Sequence, residues 1–291
     1  MFKTPNSKQS QYFHWNLKFG IYLEFGIWIL GFLLFILMTM GCQRSKAGIT
    51  VAGSTSVEPF AELLAEEYMH LHPQSHIYVQ GGGSSAGVEA VRSGSAHIGL
   101  SSRSLIGKEK NLHAVMIAQD AIAIIVHPQN PVQDIPLTKV KEVFSGKVKN
   151  WEELGGKNRA IILVTREEGS GTREAFQKLV MGEDEIAPEA LVQDSNGAIR
   201  QVVTGDPSAL GYISLGLVNE KVKALQISGT IPSVKNIKSG RYHLVRPFLF
   251  IFLLEPTGEA KAFLDFVMST EAQKLLAREG LVTAPSKSPE D

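Results

Sequence analysis

At 291 residues, with 44% apolar and 20% charged residues, the chain has the composition of a globular protein long enough for two domains, not of a disordered one. Its 29 basic and 29 acidic residues balance, and without residues 1–41, which hold three lysines and one glutamate, the remainder is slightly acidic. No nucleic-acid partner is expected, because that would need a net basic surface, and any anion site must work by local geometry.

The first segment in chain order is an apolar, glycine-containing run, Phe25 to Met40, preceded by lysines and followed at once by Gly41-Cys42. Residues 1–41 therefore read as a secretory signal or a membrane anchor. Cys42 is the one cysteine of the chain, so it forms no internal disulfide. Its place at the end of such a run resembles the lipid-attachment cysteine of bacterial lipoproteins. Lipidation at Cys42 after cleavage and an uncleaved anchor are the two expectations, and either puts the rest of the chain outside the cytoplasmic membrane.

After a polar tether, Ile49 to Ala52 reads as a strand that ends in Gly53-Ser54-Thr55-Ser56. Val57, Phe60, Ala61, Leu64, Tyr68 and Leu71 then keep the spacing of one helical face. Ile77 to Gln80 is a second strand, which runs into Gly81-Gly82-Gly83-Ser84-Ser85-Ala86-Gly87 and a helix through Val88 and Val91. Ile98 to Leu100 is a third strand, ended by Ser101-Ser102-Arg103-Ser104. Ala121 to Val126 is a near-continuous apolar strand, and the Pro-rich stretch after His127 suggests a change of domain.

In the second unit, Leu137 to Phe144 precedes the strand Ala160 to Val164 and the stretch Thr165 to Arg173, which reads Thr-Arg-Glu-Glu-Gly-Ser-Gly-Thr-Arg. Ala175, Phe176, Leu179 and Val180 continue it as a helix. Ala198 to Val203 is helical, Leu210 to Ile213 and Val222 to Ile227 are strands, and Phe248 to Leu253 is a buried strand that carries the chain back to the first unit. Glu259 to Arg278 reads as one long closing helix, with a frayed polar tail from Ser286.

Strand-helix alternation of this kind gives mostly parallel sheets, and ligands bind at the carboxyl ends of their strands. All four hydroxyl-rich turns fall there. Three of them join a strand through a glycine turn to a helix start, where free N–H groups and the positive end of the helix dipole face one spot. None has the spacing of a nucleotide P-loop or of a dinucleotide fingerprint. Many neutral donors suit a small enclosed oxyanion better than a long nucleotide. The bland alternative for Ser84 and Ser170 is helix capping, for Thr172 an N-cap, and for Arg166 a surface ion pair with Glu167 or Glu168.

Taken together, Ala52 to Ser56, Gln80 to Gly87, Ile98 to Arg103 and Arg166 to Thr172 closely resemble the phosphate-binding proteins of the bacterial high-affinity phosphate ABC importer. Ala209 to Ser214 and Arg246-Pro247 are similar to further recurring features of that family. The resemblance covers residues 48 to 285. It implies an α/β, two-lobed periplasmic-binding-protein fold of type II with the ligand cleft between the lobes. Lobe I would be residues 47–126 plus 245–291 and lobe II residues 127–244.

Carried over position by position, the resemblance implies phosphate contacts at Thr55, Ser56, Ser84, Ser102, Arg166, Ser170, Gly171 and Thr172. Well-known members have an aspartate at the place of Ser102. Here Asp120, or the charge of Arg103, would have to supply what that carboxylate does. A monomeric receptor is implied, lying on the periplasmic or extracytoplasmic face of the membrane and delivering inorganic phosphate to an ABC permease with a cytoplasmic ATPase.

No catalytic residue, cofactor or metal site is expected. The eight histidines lack the His-Glu spacing of a metallohydrolase, and Ser170 lacks a nucleophile elbow. The alternatives are a receptor or tethered sensor for another tetrahedral oxyanion such as sulfate or molybdate, and a secreted phosphatase.

Overall fold

The computed structural model describes residues 48–284; the readings made for residues 1–41, for Cys42 and for the tail from Ser286 lie outside the described residues. Among the described residues no helix is long and apolar enough to cross a membrane. β1 (Ile49–Gly53) leads into α1 (Glu58–Leu71), which buries Phe60, Ala61, Leu64 and Tyr68 as its spacing predicts, while Leu71 at its end is exposed. β2 (Ile77–Gly81), α2 (Ser84–Arg92) and β3 (Ile98–Ser101) follow, and β1 pairs in parallel with both other strands. α2 lies directly on this sheet at Gly87. A Cβ there would come within 2.7 Å of the Ala52 carbonyl oxygen and 2.8 Å of that of Leu100, so only glycine permits the approach. The approach brings the first turn of α2 against the turn after β3.

β4 (His113–Val126) begins eight residues earlier than the apolar run Ala121 to Val126 suggests. Beyond it come β5 (Asp134–Ile135), α3 (Leu137–Phe144), β6 (Ile162–Arg166), α4 (Gly171–Phe176) and the edge strand β7 (Leu191–Gln193). α5 (Asn196–Gly205), β8 (Ala209–Ser214), β9 (Lys223–Ala224), β10 (Gln226–Ile227) and α6 (Val234–Lys238) complete this part of the chain. β11 (Val245–Phe252), α7 (Gly258–Val267), α8 (Thr270–Arg278) and β12 (Val282–Thr283) close the fold.

Strand order runs β2-β1-β3-β11-β4-β8-β6-β7, with β9 and β12 also on β4. The first half of β4 pairs antiparallel with β11 and β12, and its second half pairs with β8 and β9. One strand thus belongs to both halves of the sheet. Its second half is apolar throughout because it is covered on both faces: Ile122, Ile124 and Val126 pack with Phe144, Phe176 and Tyr212, while Ala123 and Ile125 pack with Val164, Ile199 and Ile213. A separate core joins β1, β3, α1, α7 and α8 through Val51, Leu64, Leu100, Phe248, Phe263 and Leu276. Each fully buried side chain of this size stabilises the fold by roughly 1.5–3 kcal/mol.

Two predicted elements come out divided. Val222 to Ile227 is two short strands, because β9 pairs with β4 and β10 pairs with β5. The closing helix Glu259 to Arg278 is α7 and α8, since Ser269 caps a new start by accepting from the Ala272 N–H.

Candidate functional site

Arg166 is the last residue of β6, and Ser170-Gly171-Thr172 opens α4. Ser170 is the cap of that helix, as one of its two readings has it: its Oγ accepts from the Arg173 N–H at 3.3 Å, and Thr172 is not the N-cap. α1 and α2 have no side-chain cap; Ser84 lies inside α2 and its Oγ accepts from the Ser102 N–H at 3.1 Å. Among the described residues, the backbone N–H groups of Thr55, Ser84, Gly171 and Thr172 find no hydrogen-bond partner. Helix starts with free N–H groups of this kind are ready-made anion sites.

The turns from the two halves of the chain meet. Ser56 Oγ lies 2.7 Å from Thr172 Oγ1. Ser54 Oγ donates to Ser102 Oγ at 2.8 Å, and Ser102 Oγ is 3.5 Å from Ser84 Oγ. Gly171 faces this group so closely that a Cβ would fall 2.1 Å from Ser84 Oγ and 2.7 Å from Ser102 Oγ. Ser56, Ser84, Ser102, Ser170 and Thr172 are all at most 1% exposed, and the buried Thr55 Oγ1 has no partner among the described residues. The structure therefore brings the predicted positions Ser56, Ser84, Ser102, Gly171 and Thr172 into one buried cluster, with Thr55 and Ser170 next to it in the chain.

Arg166 is 1% exposed and is not the surface residue its local sequence allows. Its Nε and Nη2 donate to the two carboxylate oxygens of Glu167 at 2.9 and 2.8 Å, and also to the carbonyls of Gln193 and Asp194. The Glu167 pair foreseen as the alternative is thus present, but it is a forked pair that fixes the guanidinium plane. Arg173 Nη1 donates to the Arg166 carbonyl at 2.9 Å.

A guanidinium touches the cluster directly. Arg246 on β11 stands opposite Asp120 on β4; its Nε and Nη2 donate to Asp120 Oδ2 at 2.9 and 2.8 Å, and its Nη1 donates to Thr172 Oγ1 at 2.7 Å. Burial pushes Asp120 up and Arg246 down, and each partner's charge opposes the other's shift; the charge of Arg166 lowers Arg246 further. Asp120 Oδ1 is buried without a partner among the described residues. Arg166 with Glu167 and Arg246 with Asp120 make two balanced pairs, so an anion here is held mainly by N–H groups, hydroxyls and helix dipoles. Behind them, Thr165 Oγ1 is 2.7 Å from the Tyr212 hydroxyl, whose pKa is pushed up to about 12 by burial.

Sequence reasoning did not place Ser54 and Asn196 in this cluster. Asn196 Nδ2 donates to Ser56 Oγ at 2.9 Å, and its Oδ1 accepts from the Ser214 N–H at 3.0 Å. Arg246 stood out only as a recurring dipeptide with Pro247. Arg103 turns its donors elsewhere. Nη1 and Nη2 bind Glu109 at 2.6 and 2.9 Å, and Nε is 2.6 Å from Glu174 at the start of the second half-site. Among the described residues no group of three or more His, Cys, Asp or Glu side chains could hold a metal.

The PBP superfamily domain matches residues 41–271. A phosphate-binding protein PstS of Bacillus subtilis is 36% identical over 239 residues, covering 80% of this chain and 79% of that protein. The chain belongs to the PBP superfamily and, within it, to the family of phosphate-binding proteins. A solved structure from Clostridium perfringens, described as a putative phosphate ABC transporter substrate-binding protein with bound phosphate, is 39% identical with a TM-score of 0.80; the match covers 82% of this chain and all of that one. An ABC-type phosphate transport receptor from Vibrio cholerae is 37% identical with a TM-score of 0.68, covering 81% of this chain and all of that one. Membership of this family makes the chain a two-lobed α/β substrate-binding protein and not an enzyme.

Proposed function

We propose that this chain captures inorganic phosphate outside the cytoplasmic membrane for import by an ABC permease with a cytoplasmic ATPase. The observation that carries the reading is the buried meeting of helix starts with free N–H groups and hydroxyls from both halves of the chain, at Thr55, Ser56, Ser84 and Ser102 on one side and Ser170, Gly171 and Thr172 on the other. Arg166 has its Nε–Nη2 edge held by Glu167 and two carbonyls, which leaves Nη1 as the guanidinium nitrogen for a phosphate oxygen. A desolvated dianion is costly to bury unless its oxygens are saturated with donors, and this cluster offers more donors than acceptors.

Because the cluster is almost inaccessible, ligand entry requires the halves to part. Lobe I is assigned to residues 47–126 plus 245–291 and lobe II to residues 127–244, with β4 and β11 crossing between them. Phosphate favours the closed arrangement by completing both half-sites at once. The receptor works as a monomer and is tethered through Cys42 or through an uncleaved residue 1–41 segment.

One feature favours a second reading, a receptor for another tetrahedral oxyanion. Ser102 is neutral, and the carboxylates of Asp120 and Glu167 are each engaged by an arginine. Equilibrium dialysis of the purified full chain against labelled phosphate tests the main reading. Retention that unlabelled phosphate displaces and sulfate or molybdate does not is the expected result, with no phosphate released from an aryl phosphate ester. Failure to retain phosphate defeats it.

A further inference from the structure

Ser56 and Thr172 form the closest hydroxyl contact between the two half-sites, and each is backed by a group that can only donate to it. Arg246 Nη1 donates to Thr172 Oγ1, and a guanidinium has no acceptor. Asn196 Nδ2 donates to Ser56 Oγ. The orientation of that amide is fixed, because its Oδ1 accepts from the backbone N–H of Ser214, which cannot reverse its role. Each hydroxyl therefore has a lone pair filled from behind. Of the two hydroxyl protons one is used in the 2.7 Å contact between them, and the other must point away from Asn196 and Arg246.

We propose that Asn196 and Arg246 are positioning residues that fix the proton direction of the Ser56–Thr172 pair, so that this pair meets a bound anion only as a donor. The inference rests on the phosphate reading and adds to it a determinant 140 residues distant in sequence from the hydroxyl it orients. Asp120 completes the arrangement by accepting from the Nε–Nη2 edge of the Arg246 guanidinium through Oδ2, which leaves Nη1 directed at Thr172.

Asn196→Asp reverses the polarity behind Ser56 at nearly constant shape: one carboxylate oxygen still accepts from Ser214, and the other accepts the Ser56 proton instead of giving one. Phosphate affinity is measured by calorimetry on the purified full chain for the unmodified protein, Ser56→Ala, Asn196→Asp and the double variant. Asn196→Asp is expected to weaken binding by about 10- to 100-fold when Ser56 is present, the worth of a hydrogen bond to a charged group, and by less than about threefold in the Ser56→Ala background. Simple charge repulsion or a packing role for Asn196 would give equal penalties in both backgrounds, and that result overturns the proposal. Asn196→Ala, which removes the donor without adding charge, goes through the same cycle if the aspartate variant does not fold. An unmodified protein that binds phosphate with equal penalties defeats this inference alone, whereas one that gives no heat with phosphate defeats the functional reading as well.

Discussion

Arg166 carries the sharpest demand at the scale of single residues. Its side chain is buried and donates to Glu167 and to two carbonyls, so truncation removes a buried cation at the end of β6 and leaves Glu167 without its partner. Arg166→Ala should weaken phosphate binding by about 2–5 kcal/mol, read by calorimetry. A loss below tenfold would mean that the guanidinium serves Glu167 and not the ligand. Arg103 makes a different prediction. It holds the Glu109 carboxyl below its ordinary value of 4.5, chiefly through their hydrogen bonds. A depressed carboxylate contributes stability that is fully present above its ordinary range and is lost as pH falls through the depressed value. Glu109→Gln should therefore cost roughly 1.5–3 kcal/mol in urea unfolding at pH 7 and measurably less at pH 3. A cost that stays the same at both pH values would contradict the pairing.

Among the elements, α4 decides whether the two half-sites can meet. Gly171 is its first residue, and a Cβ there would collide with Ser84 Oγ and Ser102 Oγ from the opposite side of the cluster. Gly171→Ala should leave the unfolding midpoint of the free protein within about 0.5 kcal/mol of the parent, since the open form can relieve the clash, while phosphate affinity falls at least tenfold. Unchanged affinity would show that the halves need not approach this closely. The hydroxyls of Thr55, Ser84, Ser170 and Thr172 were legible because each sits at a strand-to-helix turn, and that of Ser102 because it directly follows a strand, both local patterns. Ser54, Arg246 and Asn196 were not, because their partners lie 48, 74 and 140 residues away and leave no mark in the neighbouring sequence. The same limit applies to β7, whose Leu191 and Val192 are exposed on an edge, and to the first half of β4, where half-covered positions blur the period. Helical spacing runs on through Met268 and Ser269 and so hides the break between α7 and α8.

For the whole molecule, the shared strands β4 and β11 place the Asp120–Arg246 pair where the halves of the sheet join, and from there Arg246 touches the anion cluster through Thr172. On the proposed reading, movement of the halves and occupation of the site are coupled through this buried guanidinium. The two ion pairs leave the cluster close to neutral, and Ser102 adds no carboxylate to repel a fully ionised anion. Selectivity for phosphate must then come from the fit of donors and from the hydroxyls, which makes it the property most exposed to contradiction. Calorimetry of the purified protein with phosphate, sulfate and molybdate side by side, at several pH values, tests it most directly. Phosphate should bind more tightly than either competitor across the series, and sulfate binding that equals or exceeds it would contradict the assignment.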